Sequence, residues 1–310
     1  MKHKFLITLA VLAFSTSGFA QLATPLSQFS GNQMLYNPGY SGIYDILSVN
    51  LNIHRGWINL PGAPNRVALN AHMPSKNQRH AFGVAFQSDS WGPLHGNFGH
   101  LNYAYKLHVG PGVLSLGLQA GGMLHVTDWD KITHIRHRED VTLGQGRESE
   151  AKFDVSAGAY YLASQWYAGF SVLHLNSPRY GVVEVNGEEW FSRMNSQFVL
   201  IGGYNYDVNP RWSLRPEIMM LYTDAVPLVT NIGIHAHYLN RYSFGVNIMG
   251  SRGMSLQVRA LFNEQFRIGY SYDIFYGFLR PYQRGSHEIS VSYIIPNFHK
   301  NERTVNLLWL

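Results

Sequence analysis

The feature that most constrains this chain is an alternation of apolar and polar residues, sustained over runs of about ten residues. Across 47–54, Leu47, Val49, Leu51 and Ile53 share one face while Ser48, Asn50, Asn52 and His54 share the other. Across 153–162, Phe153, Val155, Ala157, Ala159 and Tyr161 oppose Asp154, Ser156, Gly158 and Tyr160. In 211–222, Trp212, Leu214, Ile218, Met220 and Tyr222 oppose Arg211, Ser213, Arg215 and Glu217, and 253–262 and 265–274 repeat the pattern. A period of two belongs to β-strands. Soluble sandwich strands alternate too, but most stop near five or six residues. Strands that cross a membrane need about 9–11 residues, and they set lipid-facing apolar side chains against lumen-facing polar ones.

Composition narrows the class further. Charged residues make up 14% of the chain, well below the ordinary ~25%, while aromatics reach 14% with 19 Tyr. Gly and polar residues interrupt every apolar stretch after the N-terminus, which excludes helical membrane spans. The absence of cysteine excludes a disulfide framework, a zinc-thiolate site and a lipid-modified N-terminal cysteine. The net charge of +5 comes from scattered Lys and Arg, so no nucleic-acid partner is expected.

These observations predict an all-β protein, a transmembrane antiparallel up-and-down β-barrel of about fourteen strands. Residues 1–20 read as a signal peptide. Lys2 and Lys4 precede an apolar run from Phe5 to about Phe14, and Gly18 and Ala20 mark a cut after Ala20. Residues 21–46 lack periodicity and are rich in turn formers, as expected of a periplasmic segment or a lumenal plug. The barrel is expected over 47–295, followed by a tail at 296–310 of open role, ending Leu307-Leu308-Trp309-Leu310. The strands are expected at 47–55, 66–73, 80–90, 97–108, 112–125, 153–162, 165–175, 195–207, 211–222, 228–238, 240–250, 253–263, 265–275 and 285–295. Tight turns follow the even strands, as at Gly110-Pro111, Asn209-Pro210 and Asn263-Glu264, while the longest loops, 126–152 and 176–194, follow odd ones. Short periplasmic turns alternate with longer outer loops in such barrels, so both termini are expected in the periplasm and the protein in the outer membrane. Pro216 breaks the pattern and predicts a bulge or an interrupted ladder.

The chemistry-bearing residues read mostly as lining. His235 and His237 share the lumen face and lack an evident third ligand for a metal. His134 and His137 lie near Asp128, Asp130, Glu139 and Asp140 in a charged loop without calcium-loop spacing. His174 near Ser171 is the one weak hydrolase pairing, and no Gly-x-Ser-x-Gly elbow is present. Arg215, Glu217, Arg241, Arg259, Arg267, Asp273 and Glu288 are expected to face the lumen, either as a self-paired interior or as a pore lining. No catalytic residue, cofactor or metal is therefore expected, and the protein is read as a non-enzyme.

Local patterns then point to one family. Gln28-Phe29-Ser30 and Tyr36-Asn37-Pro38-Gly39-Tyr40-Ser41-Gly42 resemble the opening "FSQ…LxNPAYAG" of the PorP/SprF family of type IX secretion membrane proteins in Bacteroidetes. Arg55-Gly56-Trp57 followed by Gly62 and Pro64 resembles its "RxQW…GxP" loop. Asp89 and Gly92 match "D…G", and Tyr103-Ala104-Tyr105 with 114–121 match "YAY…LSLGLxAG". Tyr272-Asp273 and Gly285-Ser286-His287-Glu288 fall in a closing "GYSYD…GSHEI". The chain departs from the family pattern at Gly31, at Gly39 and in its tail.

The resemblance implies an outer-membrane part of the type IX secretion and gliding machinery. Implied partners are secreted substrates with C-terminal signal domains, the periplasmic lipoprotein ring, the inner-membrane motor, a peptidoglycan-binding lipoprotein and outer-membrane lipid. The motif residues have structural readings as well. Asn37, Pro38, Gly62 and Pro64 shape turns by their own chemistry, and His287 and Glu288 open the last strand. A passive porin or small-molecule transporter is the alternative.

Overall fold

The computed structural model describes residues 25–132, 144–185, 188–224 and 226–295. The expected signal peptide, the tail after 295, and His134, His137, Glu139 and Asp140 lie outside the described residues. The strands are β1 (Leu47–Arg55), β2 (Asn65–Pro74), β3 (His80–Trp91), β4 (Leu94–Val109), β5 (Gly112–Asp128), β6 (Arg147–Leu162), β7 (Trp166–Leu173), β8 (Arg179–Val185), β9 (Glu188–Arg193), β10 (Gln197–Tyr204), β11 (Tyr206–Asn209), β12 (Trp212–Thr223), β13 (Val226–Tyr238), β14 (Tyr242–Ile248), β15 (Gly253–Phe262), β16 (Phe266–Phe275) and β17 (Ser286–Ile295).

Every strand of the main sheet pairs antiparallel with its neighbours, and β1 closes on β17 with Leu47 opposite Ile295. β10 and β11 occupy one position in the wall, both against β12, so the result is a closed barrel of fourteen strands. Burial follows the alternation with the sense inverted from a soluble protein. In β1 the Ser48, Asn50, Asn52 and His54 face is buried, and in β14 Tyr242, Phe244, Val246 and Ile248 are exposed. An apolar exterior around a polar interior is the arrangement a bilayer stabilises, because lipid replaces water on the outside. Aromatic pairs ring both ends of this exterior. Trp212–Tyr238 and Phe266–Tyr293 lie at one end, and Phe198–Tyr222 and Tyr272–His287 at the other.

The two ends differ in their connections. At the turn end, Leu239-Asn240 and Asn263-Glu264 all take positive φ. That conformation matches the twist of a tight hairpin. Leu47 and Ile295 are also at this end. The loop end carries 56–64, 129–146, 174–196 and 276–285.

Four details depart from the sequence reading. β6 begins at Arg147, because its first residues are polar on both faces and stand beyond the apolar belt. The 176–194 region, expected as a loop, contains the β8–β9 hairpin. Two loop-end connections, 92–93 and 224–225, are as short as turns because the flanking strands run long. Arg241, expected in the lumen, is exposed in the turn after β13. At Pro216 the ladder to β13 continues opposite Ile234, while the ladder on the other side is interrupted between β10 and β11. A residue without an N–H is tolerated where the ladder has already lapsed.

Candidate functional site

Residues 25–46 fill the lumen. The Ser27 and Gln28 backbone N–H groups donate to the two oxygens of Glu288 at 2.8 and 3.2 Å, and Ser27 Oγ donates to Asp273 at 2.7 Å. Asn247 and Gln257 donate to the Ser27 carbonyl, and Arg259 donates to Ser30 Oγ at 2.7 Å. Further along, Asn32 Oδ1 accepts from Asn52 and Asn70, and Tyr160 donates to Gln33 at 2.9 Å. Lys106 donates to Gly42 O and pairs with Asp45. Asp273 and Glu288 lie toward the loop end of their strands, and Lys106 lies near the turn end. The segment therefore descends through the barrel before entering β1. Strand parity sets Leu47 and Ile295 at one end, but Pro25 faces the other.

Asn37-Pro38-Gly39 packs directly against the wall. Asn37 Oδ1 accepts the Gly39 N–H at 2.8 Å and Pro38 opens a 3-10 turn, so the local chemistry makes the bend. Asn37 Nδ2 donates to the carbonyls of Ala159 and Phe170 at 3.0 and 3.2 Å, using lone pairs that the sheet leaves free. The wall beneath is a pad of Gly117, Gly158 and Gly169. A Cβ on Gly117 would fall 2.2 Å from Gly39 N, and one on Gly158 would fall 2.4 Å from Asn37 Oδ1.

The remaining motif residues gather at the loop end, from three separate parts of the chain. Trp57 N–H donates to Ser286 Oγ at 3.0 Å, Ile58 N–H to Gly285 O at 2.9 Å, and Arg284 N–H back to Ile58 O at 2.9 Å. Gly285 takes φ +74 with Asp273 O 2.6 Å from where its Cβ would be, so a side chain is excluded twice over. Gly92 N–H reaches Gly62 O at 3.0 Å, and Gly56 N–H reaches Pro64 O at 2.8 Å. Arg66 grips Asp89 with two bonds, at 2.6 and 3.0 Å. Trp57 packs edge-on against Phe275, and the Tyr270 hydroxyl meets His287 Nδ1 at 2.7 Å. Arg55 is directly across from His287, facing outward.

Above the plug, the loop end encloses a chamber of about 460 Å³, floored by Pro25, Leu35 and Tyr36. Burial pushes the Tyr36 phenol up to about 12, with the Arg66 charge opposing, so it stays neutral and accepts the Leu26 N–H. In the chamber wall Asp154 bridges His100 and His174, each at 2.9 Å. The sequence gives little sign of this bridge, since its members lie on β4, on β6 and after β7. Ser171, the hydrolase candidate, instead donates its hydroxyl to Tyr36 O, and Ser156 Oγ accepts the His174 backbone N–H at 3.3 Å. His235 meets Glu217 at 3.0 Å beside His237. Among the described residues no three metal-ligating side chains are placed to hold an ion. Asp128 pairs with Lys131.

The model of the family described as type IX secretion system membrane protein PorP/SprF matches residues 18–293. No curated protein matches the chain. Similar solved structures include the CymD monoaromatic hydrocarbon channel, at 12% identity over 89% of this chain and 94% of that one, with a TM-score of 0.48. The Pseudomonas putida toluene transporter TodX shows 9% identity over 85% and 92%, with a TM-score of 0.46. Omp33 of Acinetobacter baumannii shows 6% over 82% and 99%, also at 0.46. At these identities and scores the likenesses carry no weight for function. The apolar exterior, the aromatic belts and the family match make this an outer-membrane β-barrel. The chain belongs to the PorP/SprF family of type IX secretion system membrane proteins.

Proposed function

We propose that the protein is a non-enzymatic outer-membrane component of the type IX secretion and gliding machinery. In this role it binds secreted substrates through their C-terminal signal domains. It also contacts the periplasmic lipoprotein ring, the inner-membrane motor and a peptidoglycan-binding lipoprotein. The observation that carries the reading is the family match over 18–293, on a barrel whose lumen is filled from Leu26 to Ile46 by its own buried segment. A filled lumen suits a receptor or anchor better than a passive porin. The loop end is assigned to the cell exterior and the turn end to the periplasm, from the usual contrast of loop lengths.

Deleting the gene is expected to abolish or strongly reduce export and surface attachment of proteins bearing type IX signals. Unchanged export in that strain would sink the proposal. The orientation has its own test. In intact cells, a cysteine at Gly277 should react with an impermeant maleimide and one at Gly110 should not. The reverse result would invert the barrel.

A further inference from the structure

The barrel wall is uneven. β4, β5 and β6 run 16, 17 and 16 residues, while β14 to β17 and β1 run 7 to 10. The charges differ as well. At the top of the tall wall they are mixed, with Lys131 beside Asp128 and Lys152 beside Glu150. The loops crowning the short wall, 56–64, 249–252 and 276–285, contain no Asp or Glu. On or beside them Arg55, Arg280 and Arg284 are exposed.

Arg55 continues the outward face of Leu51 and Ile53, in register with His287. The His287 ring lies 5.2 Å from that of Tyr272, whose hydroxyl donates to Arg284 O at 3.3 Å. Directly below, Ile289 and Val291 are exposed on the apolar wall. Above, Phe278 is 82% and Tyr282 69% exposed. These aromatics are held in place, because Arg280 N–H donates to Gly277 O, Tyr282 N–H to Leu279 O, and Arg284 N–H to Ile58 O.

The short wall ends here, so this rim lies where acyl chains give way to headgroups, the level at which arginine and aromatic residues anchor a membrane protein. Exposed guanidinium groups on and beside loops that hold no Asp or Glu fit phosphate, which they bind through paired N–H donors. We propose that this patch binds the phosphorylated headgroup of an outer-leaflet glycolipid, with Phe278 seated among the upper acyl carbons. The placement rests on the orientation proposed above. An acidic protein partner is the competing occupant, and the mixed position of the patch, with apolar wall directly below it, favours lipid.

The test uses the purified full barrel in detergent, so it depends on neither export nor orientation. Native mass spectrometry and thermal unfolding are followed against bis-phosphorylated lipid A, the same glycolipid dephosphorylated, and inorganic phosphate. Phosphorylated lipid A should be retained and raise the unfolding midpoint, and the dephosphorylated form should do neither. With about a fivefold contribution per arginine near a charged membrane surface, Arg55→Gln, Arg280→Gln and Arg284→Gln together should weaken binding about a hundredfold. Lys131→Gln with Lys152→Gln should bind as the parent does. Heat-shifted gel mobility establishes that each variant is folded. Equal binding of the dephosphorylated lipid, competition by inorganic phosphate at lipid concentrations, or unchanged binding by the triple variant would each overturn the proposal. So would absence of lipid binding by the parent. An export defect in cells with intact lipid A binding would bear on the secretion role alone.

Discussion

The plug is held on opposite walls by unlike chemistry. On β5, β6 and β7, toward the turn end, the wall contributes mainly absence. Gly117, Gly158 and Gly169 leave room for the Asn37-Pro38-Gly39 bend, and the bonds run from Asn37 to strand carbonyls. On β16 and β17, toward the loop end, the wall contributes charge. Glu288 and Asp273 take the Ser27 and Gln28 donors, with Arg259 close by on Ser30. A steric seat tolerates almost no added volume, whereas a hydrogen-bonded one tolerates volume but not loss of its acceptor. A segment pinned at both places spans the lumen like a strut.

The largest effect on the closure of the lumen is expected from filling the seat. Gly158→Val places a Cβ 2.4 Å from Asn37 Oδ1 and 2.9 Å from Ser171 Cβ, so the Asn37 side chain must leave its place. Overpacking of this kind costs about 1–3 kcal/mol, and occasionally more. Planar-bilayer recordings should show higher conductance than the parent's, together with a lower unfolding midpoint. A parent-like trace would mean that the plug does not depend on the pad.

Removing the acidic anchor should come next. Glu288→Ala leaves the Ser27 and Gln28 N–H groups without their acceptor at a fully buried position. Hydrogen bonds to a charged group are worth about 1.5–3 kcal/mol each. Protease or hydrogen-exchange accessibility should rise in 25–33 while 37–46 stays protected by the pad. Uniform exposure of both stretches would show that the anchors are one cooperative unit. Glu288→Gln, which keeps an acceptor oxygen, should recover part of the protection.

These anchors also mark what the sequence makes legible. The wall was readable because lipid on one side and a polar lumen on the other impose a period of two. β1 and β16 were expected at 47–55 and 265–275, within a residue of where they lie. The reading faltered wherever that double solvent ends. The start of β6, with Arg147, Glu148, Ser149 and Glu150, stands in water on both faces, so its alternation vanishes. The β8–β9 hairpin, which forms its own two-stranded sheet apart from the barrel wall, was likewise not expected. The plug has no period because each residue answers a different point on the wall. Asn37 and Glu288 were singled out by resemblance, but that one seats the middle of the plug and the other its start follows only from the barrel's closure. The glycine pad left a faint mark, as Gly at inward positions of three consecutive strands, and so did inward Lys106, whose partner Asp45 lies outside any periodic run.

A smaller effect is expected from Asn37→Ala. It removes the Asx bond to Gly39 and both donations to the wall, yet adds no volume. The Ala159 and Phe170 carbonyls remain in strands, so few groups are orphaned and the loss should be about 1–2 kcal/mol. The unfolding midpoint should fall modestly while the lumen stays closed. Conductance equal to that of Gly158→Val would show that the pad acts through Asn37 hydrogen bonds rather than through shape.

The smallest and most discriminating change is Gly39→Ala, which restores the residue the family pattern favours. A Cβ there would meet Ser115 O at 2.9 Å, Asn37 Oδ1 at 3.0 Å and Tyr160 N at 3.1 Å. The Ser115 oxygen belongs to the backbone, so the bend itself must shift to admit the Cβ; Gly39 is not in the positive-φ region, so alanine also lowers the entropy of the unfolded chain. The gain of about 0.4–1 kcal/mol from that source is set against a shift of a few tenths of an ångström in the bend. The net change in midpoint should be near zero. A clear loss would show that this chain's pad has closed up around a glycine, so that Gly117, Gly158, Gly169 and Gly39 form one co-adapted seat. A clear gain would show slack in the seat, and would place the specificity of docking in the acidic wall instead.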